Sequence, residues 1–163
     1  MSAVAEDKTN VMRLLEQKKI AYRAHRYPHG KDPVDGLTVA GLIGRDPARV
    51  FKTLVASGAS KAVLVFVIPV TGELDLKKAA RAAGEKSVAM VHVGELTALT
   101  GYVRGGCSPI GMKNRFPTFI DASAEGLDAM IVSAGRIGSQ VELKPADLAA
   151  LCGAETADLL TEE

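Results

Sequence analysis

The sequence predicts an α+β fold: one compact domain with a largely antiparallel sheet and surrounding helices. Three observations lead there. Segments of helical and strand period are interleaved without strict alternation, which disfavours a parallel doubly wound sheet. Val50–Ala56 and Ala62–Pro69 are β-branched and apolar, and only Ser57-Gly58-Ala59-Ser60-Lys61 separates them, a hairpin-length loop with one glycine. Finally, 163 residues, 47% apolar and 24% charged, are enough for one buried core without staples. With no repeat or linker, residues 1–163 read as one domain with a core over about 8–151.

The elements follow from local chemistry. Thr9 is a candidate N-cap, and Val11, Leu14 and Leu15 form an apolar stripe, so a helix is expected to run to Lys18–Lys19. Ile20–Tyr27 alternates as a short strand. Pro28–Gly36, with its prolines, glycines and aspartates, reads as an exposed loop. A short helix over Thr38–Ile43 precedes one further turn opened by Asp46-Pro47. After the hairpin, Asp75 caps a helix closed by Gly84, with Leu76, Ala79, Ala80 and Ala83 turned to the core. Val88–Val91 reads as a strand and Glu95–Leu99 as a short helix. Further strands are expected at Thr118–Asp121, Ala129–Ser133 and Gln140–Leu143, and Pro145 opens a last helix over Ala146–Leu151.

Composition excludes several classes of function. The chain has no Trp, three Tyr and four Phe, which argues against an aromatic platform for stacking unpaired bases. Twenty basic residues against nineteen acidic ones leave a net charge of +1, too little to coat nucleic acid by bulk electrostatics, though a local patch remains open. The distribution is uneven. No acid lies between Glu95 and Asp121, where Arg104, Lys113 and Arg115 sit, while Glu6, Asp7, Glu155, Asp158, Glu162 and Glu163 gather at the tails. Cys107 and Cys152 are too few for a disulfide framework and lack metal-ligand spacing, which fits a reducing cytosol. No apolar run approaches the ~20 residues that cross a bilayer. Met1–Asp7 lacks the basic and apolar regions of a secretory signal. A cytoplasmic protein without cofactor is the expectation.

No phosphate-binding loop, dinucleotide fingerprint or nucleophile elbow is present. His25 and His29 are separated by Pro28 and cannot share a helix face, so solvated or structural histidines are favoured over a metal site. The most informative segment is Gly101–Gly111, with four glycines, Arg104 and Ser108. Glycines let backbone approach a ligand, and successive N–H groups can converge on a phosphate or oxyanion. A binding loop is favoured there over a tight connection. Lys52 shares a strand face with Val50 and Leu54, which suits either an edge lysine reaching to solvent or a functional cation. Ser133 closes an apolar strand where polar groups often line clefts. Lys77, Lys78, Arg81 and Lys86 make a basic helix face, ordinarily just solvated. Cys107 has no histidine near it in sequence and reads as a small buried residue rather than a nucleophile.

Taken together, these segments resemble the YbaK family of free-standing Cys-tRNA(Pro) deacylases, relatives of the editing domain inserted in bacterial prolyl-tRNA synthetases. The resemblance rests on Lys8-Thr9-Asn10-Val11, His25-Arg26-Tyr27-Pro28-His29, Val50-Phe51-Lys52-Thr53-Leu54 and Glu73–Ala80. It continues through Thr100–Gly111, Phe116–Asp121 and Val132-Ser133-Ala134-Gly135, and so spans about Lys8 to Leu151. It implies a compact α+β fold with a curved, mixed, largely antiparallel, barrel-like sheet surrounded by helices, and a pocket for the 3′-terminal adenosine and its aminoacyl group. Lys52 is matched to the family's essential lysine, Tyr27 to its pocket tyrosine, Gly105 to its loop glycine and Ser133 to its pocket serine. Gly106 and Ser108, from the same loop, and Gln140 complete the expected substrate-binding set. At Gln140 the family carries an aspartate, and a neutral amide neither pairs with an ammonium nor accepts a proton as a carboxylate does.

The resemblance implies trans-editing hydrolysis of mischarged aminoacyl-tRNA, most readily Cys-tRNA(Pro), with Cys-tRNA(Cys) also possible as a substrate. An aminoacyl ester is already activated, so positioning and charge stabilisation suffice. In the family the substrate's own thiol is thought to attack its ester carbonyl and release a cyclic thiolactone. The expected partners are the acceptor end of aminoacyl-tRNA and prolyl-tRNA synthetase. Two alternatives stand beside this reading: a deacylase for another mischarged tRNA such as Ala-tRNA(Pro), and a non-catalytic tRNA-binding or synthetase-docking module.

Overall fold

A computed structural model describes residues 8–162; Glu6, Asp7 and Glu163 of the acidic tails, and all of Met1–Asp7, lie outside the described residues. Two sheets carry the fold. Helix α1 (Asn10–Gln17) and strand β1 (Arg23–Arg26) come first, then α2 (Gly36–Ile43) and a 3-10 turn at Pro47–Arg49. The hairpin strands are β2 (Phe51–Gly58) and β3 (Val63–Pro69), followed by α3 (Leu76–Ala83), β4 (Val88–Met90) and α4 (Val93–Thr100). The glycine loop leads to β5 (Thr118–Asp121), a 3-10 segment (Ala122–Gly126), β6 (Met130–Arg136), β7 (Ser139–Leu143), α5 (Pro145–Cys152) and β8 (Glu155–Ala157).

The caps explain most helix boundaries. Thr9 accepts a hydrogen bond from Met12 N at 3.3 Å and starts α1, whose Val11, Met12 and Leu15 are buried. Asp35 accepts from Thr38 N at 2.9 Å, so α2 begins at Gly36, two residues before the expected start. Asp46 caps the Pro47 turn, and Asp75 accepts from the N–H groups of Lys77 and Lys78 at 2.9 and 3.0 Å. Gly44, Gly84, Gly101 and Gly153 close their helices in the left-handed conformation. On α3, Ala79 and Ala80 are buried as expected, but Leu76 is 43% exposed: it opens the helix, beyond the reach of the sheet.

The first sheet is antiparallel, in the order β1-β7-β6; the second is mixed, in the order β4-β2-β3-β5-β8. In the second, β2 pairs antiparallel with β3, as the hairpin reading required, whereas β3–β5 and β5–β8 are parallel. A single parallel bridge, Val50 to Ile131, joins the sheets at one corner. Neither sheet closes, so the expected barrel-like outline is absent, and β4 and β8 remain edges. Pairing trims β1, which begins only at Arg23, opposite Glu142 of β7.

Strand alternation distributes β2 and β3 between two cores. Ala56, Leu64, Phe66 and Ile68 pack with Ala79 and Ala80 of α3 and with Leu159, and the Phe66 and Phe119 rings stack at 5.5 Å. Val55, Val65 and Val67 face the other way. They meet Val132 and Val141 of the first sheet, Val11 and Leu15 of α1, Leu148 of α5, and Cys107 and Ile110 of the glycine loop. Helix α3 and the glycine loop are thus on opposite sides of the larger sheet. Strand β8 and fully buried Leu159 extend the packed structure past Leu151. No helix among the described residues is long and apolar enough to cross a membrane.

Candidate functional site

Strand β4 reaches only Ala56–Gly58 of β2, so the first half of β2 has no ladder neighbour on that side. A cleft of about 320 Å³ opens there, within the size range of small-molecule sites. Lys52 lies on its β2 wall, Tyr27 enters from the end of β1, Ser133 comes from β6, Gln140 from β7 and Gly105 from the glycine loop. Five of the seven expected site residues therefore meet in one place. The β-ladders make two of these placements inevitable: Gln140 sits opposite His25 of β1 and Ser133 of β6, so it occupies the middle of the three-stranded sheet.

The other two expected residues have structural work. Ser108 is fully buried and outside the cleft, its Oγ accepting from Ile110 N at 3.2 Å to close a turn at Pro109. Gly106 is buried behind the cleft, where a Cβ would lie 2.8 Å from Arg136 Cα and 2.9 Å from Ile137 N. Its N–H donates to Val103 O at 2.9 Å and cannot be turned toward an oxyanion without breaking that turn. Neither lines the cleft. Gly105 does border the cleft, with φ +87° and a Cβ position 2.7 Å from Pro33 Cβ; only glycine suits both. Pro28–Gly36 is the largely exposed loop that the sequence implied, with only Val34 and Gly36 half-buried. It folds against the glycine loop, and Val34 and Gly36 line the cleft.

Lys52 is half-buried and has no ion-pair partner among the described residues. Tyr27 is buried, its ring edge-on to His29 at 6.4 Å. Ser133 Oγ accepts from Gly135 N at 3.1 Å. Gln140 Oε1 and Thr53 Oγ1 are buried without a hydrogen-bond partner among the described residues. A buried acceptor left this way costs about 1–3 kcal/mol, which a donor entering the cleft would relieve. Sequence reasoning did not assign Thr53, Arg104 or Cys107 to the site. Arg104 was signalled by its place in the glycine loop; Thr53 carried no signal, since alternation directs it away from the Lys52 face.

Among the described residues, no carboxylate lines the cleft. Burial pushes the Cys107 thiol up to about 11, against a lowering hydrogen bond with Thr100, so it is neutral near pH 7 and is no ready nucleophile. His25 is not available either, since Nε2 lies 2.7 Å from Glu142 Oε1, which Arg45 also approaches at 3.3 Å. Burial raises the Glu142 carboxyl, but the His25 and Arg45 hydrogen bonds and charges outweigh it and leave it below the usual value. Among the described residues, no three His, Cys, Asp or Glu side chains converge as a metal site. The cleft offers cations, an amide, hydroxyls and backbone, groups suited to holding an anionic or hydrogen-bonding ligand.

Residues 36–151 match the family of aminoacyl-tRNA editing domains. The chain belongs to that family. A protein of Enterococcus faecalis (strain ATCC 700802 / V583), with the provisional name Cys-tRNA(Pro)/Cys-tRNA(Cys) deacylase EbsC, is 45% identical over 158 residues, covering 97% of this chain and 96% of the relative. A crystal structure described provisionally as a trans-editing enzyme for prolyl tRNA synthetase superposes with a TM-score of 0.82 at 25% identity, covering 93% of this chain and 95% of that one. The crystal structure of the hypothetical protein APE2540, at 23% identity and a TM-score of 0.83, covers 94% of this chain and 100% of that one and shares the fold. The editing-domain match takes in Lys52, Gly105, Ser133 and Gln140, while Tyr27 precedes it.

Proposed function

We propose that this editing domain hydrolyses mischarged aminoacyl-tRNA in the cytoplasm, with Cys-tRNA(Pro) as the principal substrate and Cys-tRNA(Cys) as a second. The observation that carries the reading is the composition of the cleft: Lys52, Tyr27, Gly105, Ser133 and Gln140 gathered from separate segments, with no carboxylate and no thiolate at neutral pH. A site so equipped can orient an ester and stabilise charge but has neither a ready nucleophile nor a general base. The substrate then supplies the nucleophile. Its cysteine thiol ionises and the sulfur bonds to the ester carbonyl carbon; the C–O bond to the terminal ribose breaks and the departing oxygen takes a proton from water. The free tRNA and a cyclic thiolactone result, and the thiolactone hydrolyses in solution.

In this mechanism Lys52 holds the terminal ribose-phosphate or the developing oxyanion, Tyr27 and Gly105 border the adenosine and ester, and Ser133 and Gln140 bound the aminoacyl end. Gln140 supplies an acceptor for the substrate ammonium where a carboxylate would add charge. The provisional name of the Enterococcus relative supports the cysteine assignment. The small net charge of +1 and the trans-editing description of the structural neighbour support recruitment by prolyl-tRNA synthetase rather than independent tRNA selection. The test is a panel of charged tRNAs. Cys-tRNA(Pro) should be deacylated rapidly, and Ser-tRNA at least about 100-fold more slowly, because a hydroxyl attacks poorly without a base. Rapid cleavage of Ala-tRNA(Pro), which has no thiol, would overturn the substrate-thiol mechanism; no cleavage of any member would reduce the protein to a binding module.

A further inference from the structure

Two more grooves continue from the cleft across the surface. The first, about 620 Å³, shares Tyr27 with the cleft and passes His29 and Lys31 to the β6–β7 turn at Arg136. The second, about 470 Å³, shares Arg136 with the first and ends between the start of α1 and Lys113. The shared residues string the three hollows into one row.

The charges along this row are of one sign. Lys52 and Arg104 border the cleft, Arg26, Lys31 and Arg136 the first groove, and Lys8, Arg13 and Lys113 the second, with no Asp or Glu among the described residues that line the three. In a chain with 20 basic and 19 acidic residues, the fold has segregated them. A further groove of about 260 Å³, which shares Gly111 with the second, is likewise lined by Lys18 and Arg115 without an acid among the described residues, whereas one of about 480 Å³ beside α5 carries Glu125 and Asp128 with Lys144. Lys8 along the row is offset by Glu16 at 2.9 Å, whereas Lys31 and Lys113 stand on exposed loops without an ion pair among the described residues. Of the large exposed apolar side chains, only Val103 borders the row, so it lacks the apolar anchors of a protein-docking surface. A linear series of cations fits a linear polyanion.

We propose that the three grooves form one track that binds the phosphate backbone of the RNA strand leading away from the 3′ end held in the cleft. This rests on the reading of the cleft as the aminoacyl-ester site. The basic face of α3, which lines none of the three grooves, takes no part.

The experiment uses a labelled RNA hairpin of acceptor-stem length with a single-stranded 3′ end, its binding followed by fluorescence anisotropy across a series of salt concentrations. Three proteins are compared: the parent, Lys31→Glu/Lys113→Glu on the track, and Lys77→Glu/Arg81→Glu on α3, with thermal melting to show that each is folded. The track variant should bind at least about tenfold more weakly at low salt, and its salt slope should fall by about 1.4–1.8, two contacts at roughly 0.7–0.9 each. The α3 variant should match the parent. With cysteinylated substrates, the track variant should show a raised KM on the hairpin and an unchanged rate on 3′-cysteinyl-adenosine, which is too short to reach the track. Parental affinity and salt slope in the track variant, or loss of binding in the α3 variant instead, would overturn the proposal. If the parent deacylates nothing but binding responds as expected, the activity assignment falls and the track stands. If the parent deacylates Cys-tRNA and the track variant keeps its Kd and KM, the track falls and the activity stands.

Discussion

On helix α3 and on strand β2, lysines of the same kind are used in opposite ways. Beside α3, Lys78 Nζ donates to both Asp158 oxygens at 3.1 and 3.0 Å and to Leu160 O at 2.8 Å, with Glu162 at 3.5 Å. The hydrogen bond to Asp158 and the neighbouring charges hold its ammonium above the usual lysine value. That cation pins the C-terminal segment, and nothing is left of it for a ligand. Lys52, half-buried at the open stretch of β2, has no such partner among the described residues. A satisfied cation belongs to the architecture; an unsatisfied one bordering a cleft is available for chemistry.

The sharpest way to break this comparison is to truncate both. Lys52→Ala should lower deacylation of Cys-tRNA by about 100-fold or more, the scale of losing one electrostatic stabiliser, while the melting temperature stays at the parental value. Lys78→Ala should do the reverse, leaving the rate alone and loosening the C-terminal segment. Activity of Lys52→Ala within about threefold of the parent, under ~1 kcal/mol of transition-state effect, removes Lys52 from the mechanism.

Gly106→Ala should have the next largest effect, and it should appear as instability. Its new methyl would press on the backbone of the β6–β7 turn at 2.8 Å, an overpacking that typically costs about 1–3 kcal/mol. Lost activity in a variant that melts like the parent would show instead that Gly106 touches substrate.

Cys107→Ala should change least, with the rate kept within about threefold. The pH dependence adds a second reading. The Cys107 thiol, at about 11, contributes no ionisation between pH 6 and 9, whereas an unburied substrate thiol ionises as pH rises toward ~8.5. The rate should therefore climb over that interval in the parent and in Cys107→Ala alike. A climb that vanishes in Cys107→Ala would assign the attacking sulfur to the protein.

Much of the local structure was legible from residue chemistry alone. Thr9, Asp46 and Asp75 cap because their short side chains reach the orphan N–H groups one turn on, and the β2–β3 hairpin follows from two apolar runs and a five-residue loop. The Lys52 strand and the glycine loop were recognisable because their residue pattern is itself specific. Strand β8 was invisible: Glu155–Ala157 has no strand pattern of its own and is strand only because it pairs with β5, beside Asp121, whose Oδ1 accepts from Leu159 N at 2.9 Å. Gly106 and Ser108 stand in the same motif as Gly105, and sequence proximity made them look equivalent. Tertiary packing separated them, since the loop turns between Gly105 and Gly106 and sends one to the cleft and the other against Arg136. The open sheets were decided the same way. Alternation specifies which face of a strand is buried, but closure depends on which edges meet, and among the described residues the two sheets pack face to face yet share backbone pairing only at Val50 and Ile131. Propensity, capping and motif chemistry act over a few residues and can be read along the chain. Whether a lysine is neutralised or left unpaired depends on acids that can lie 80 residues away, as Asp158 lies from Lys78, and only the folded chain brings them together.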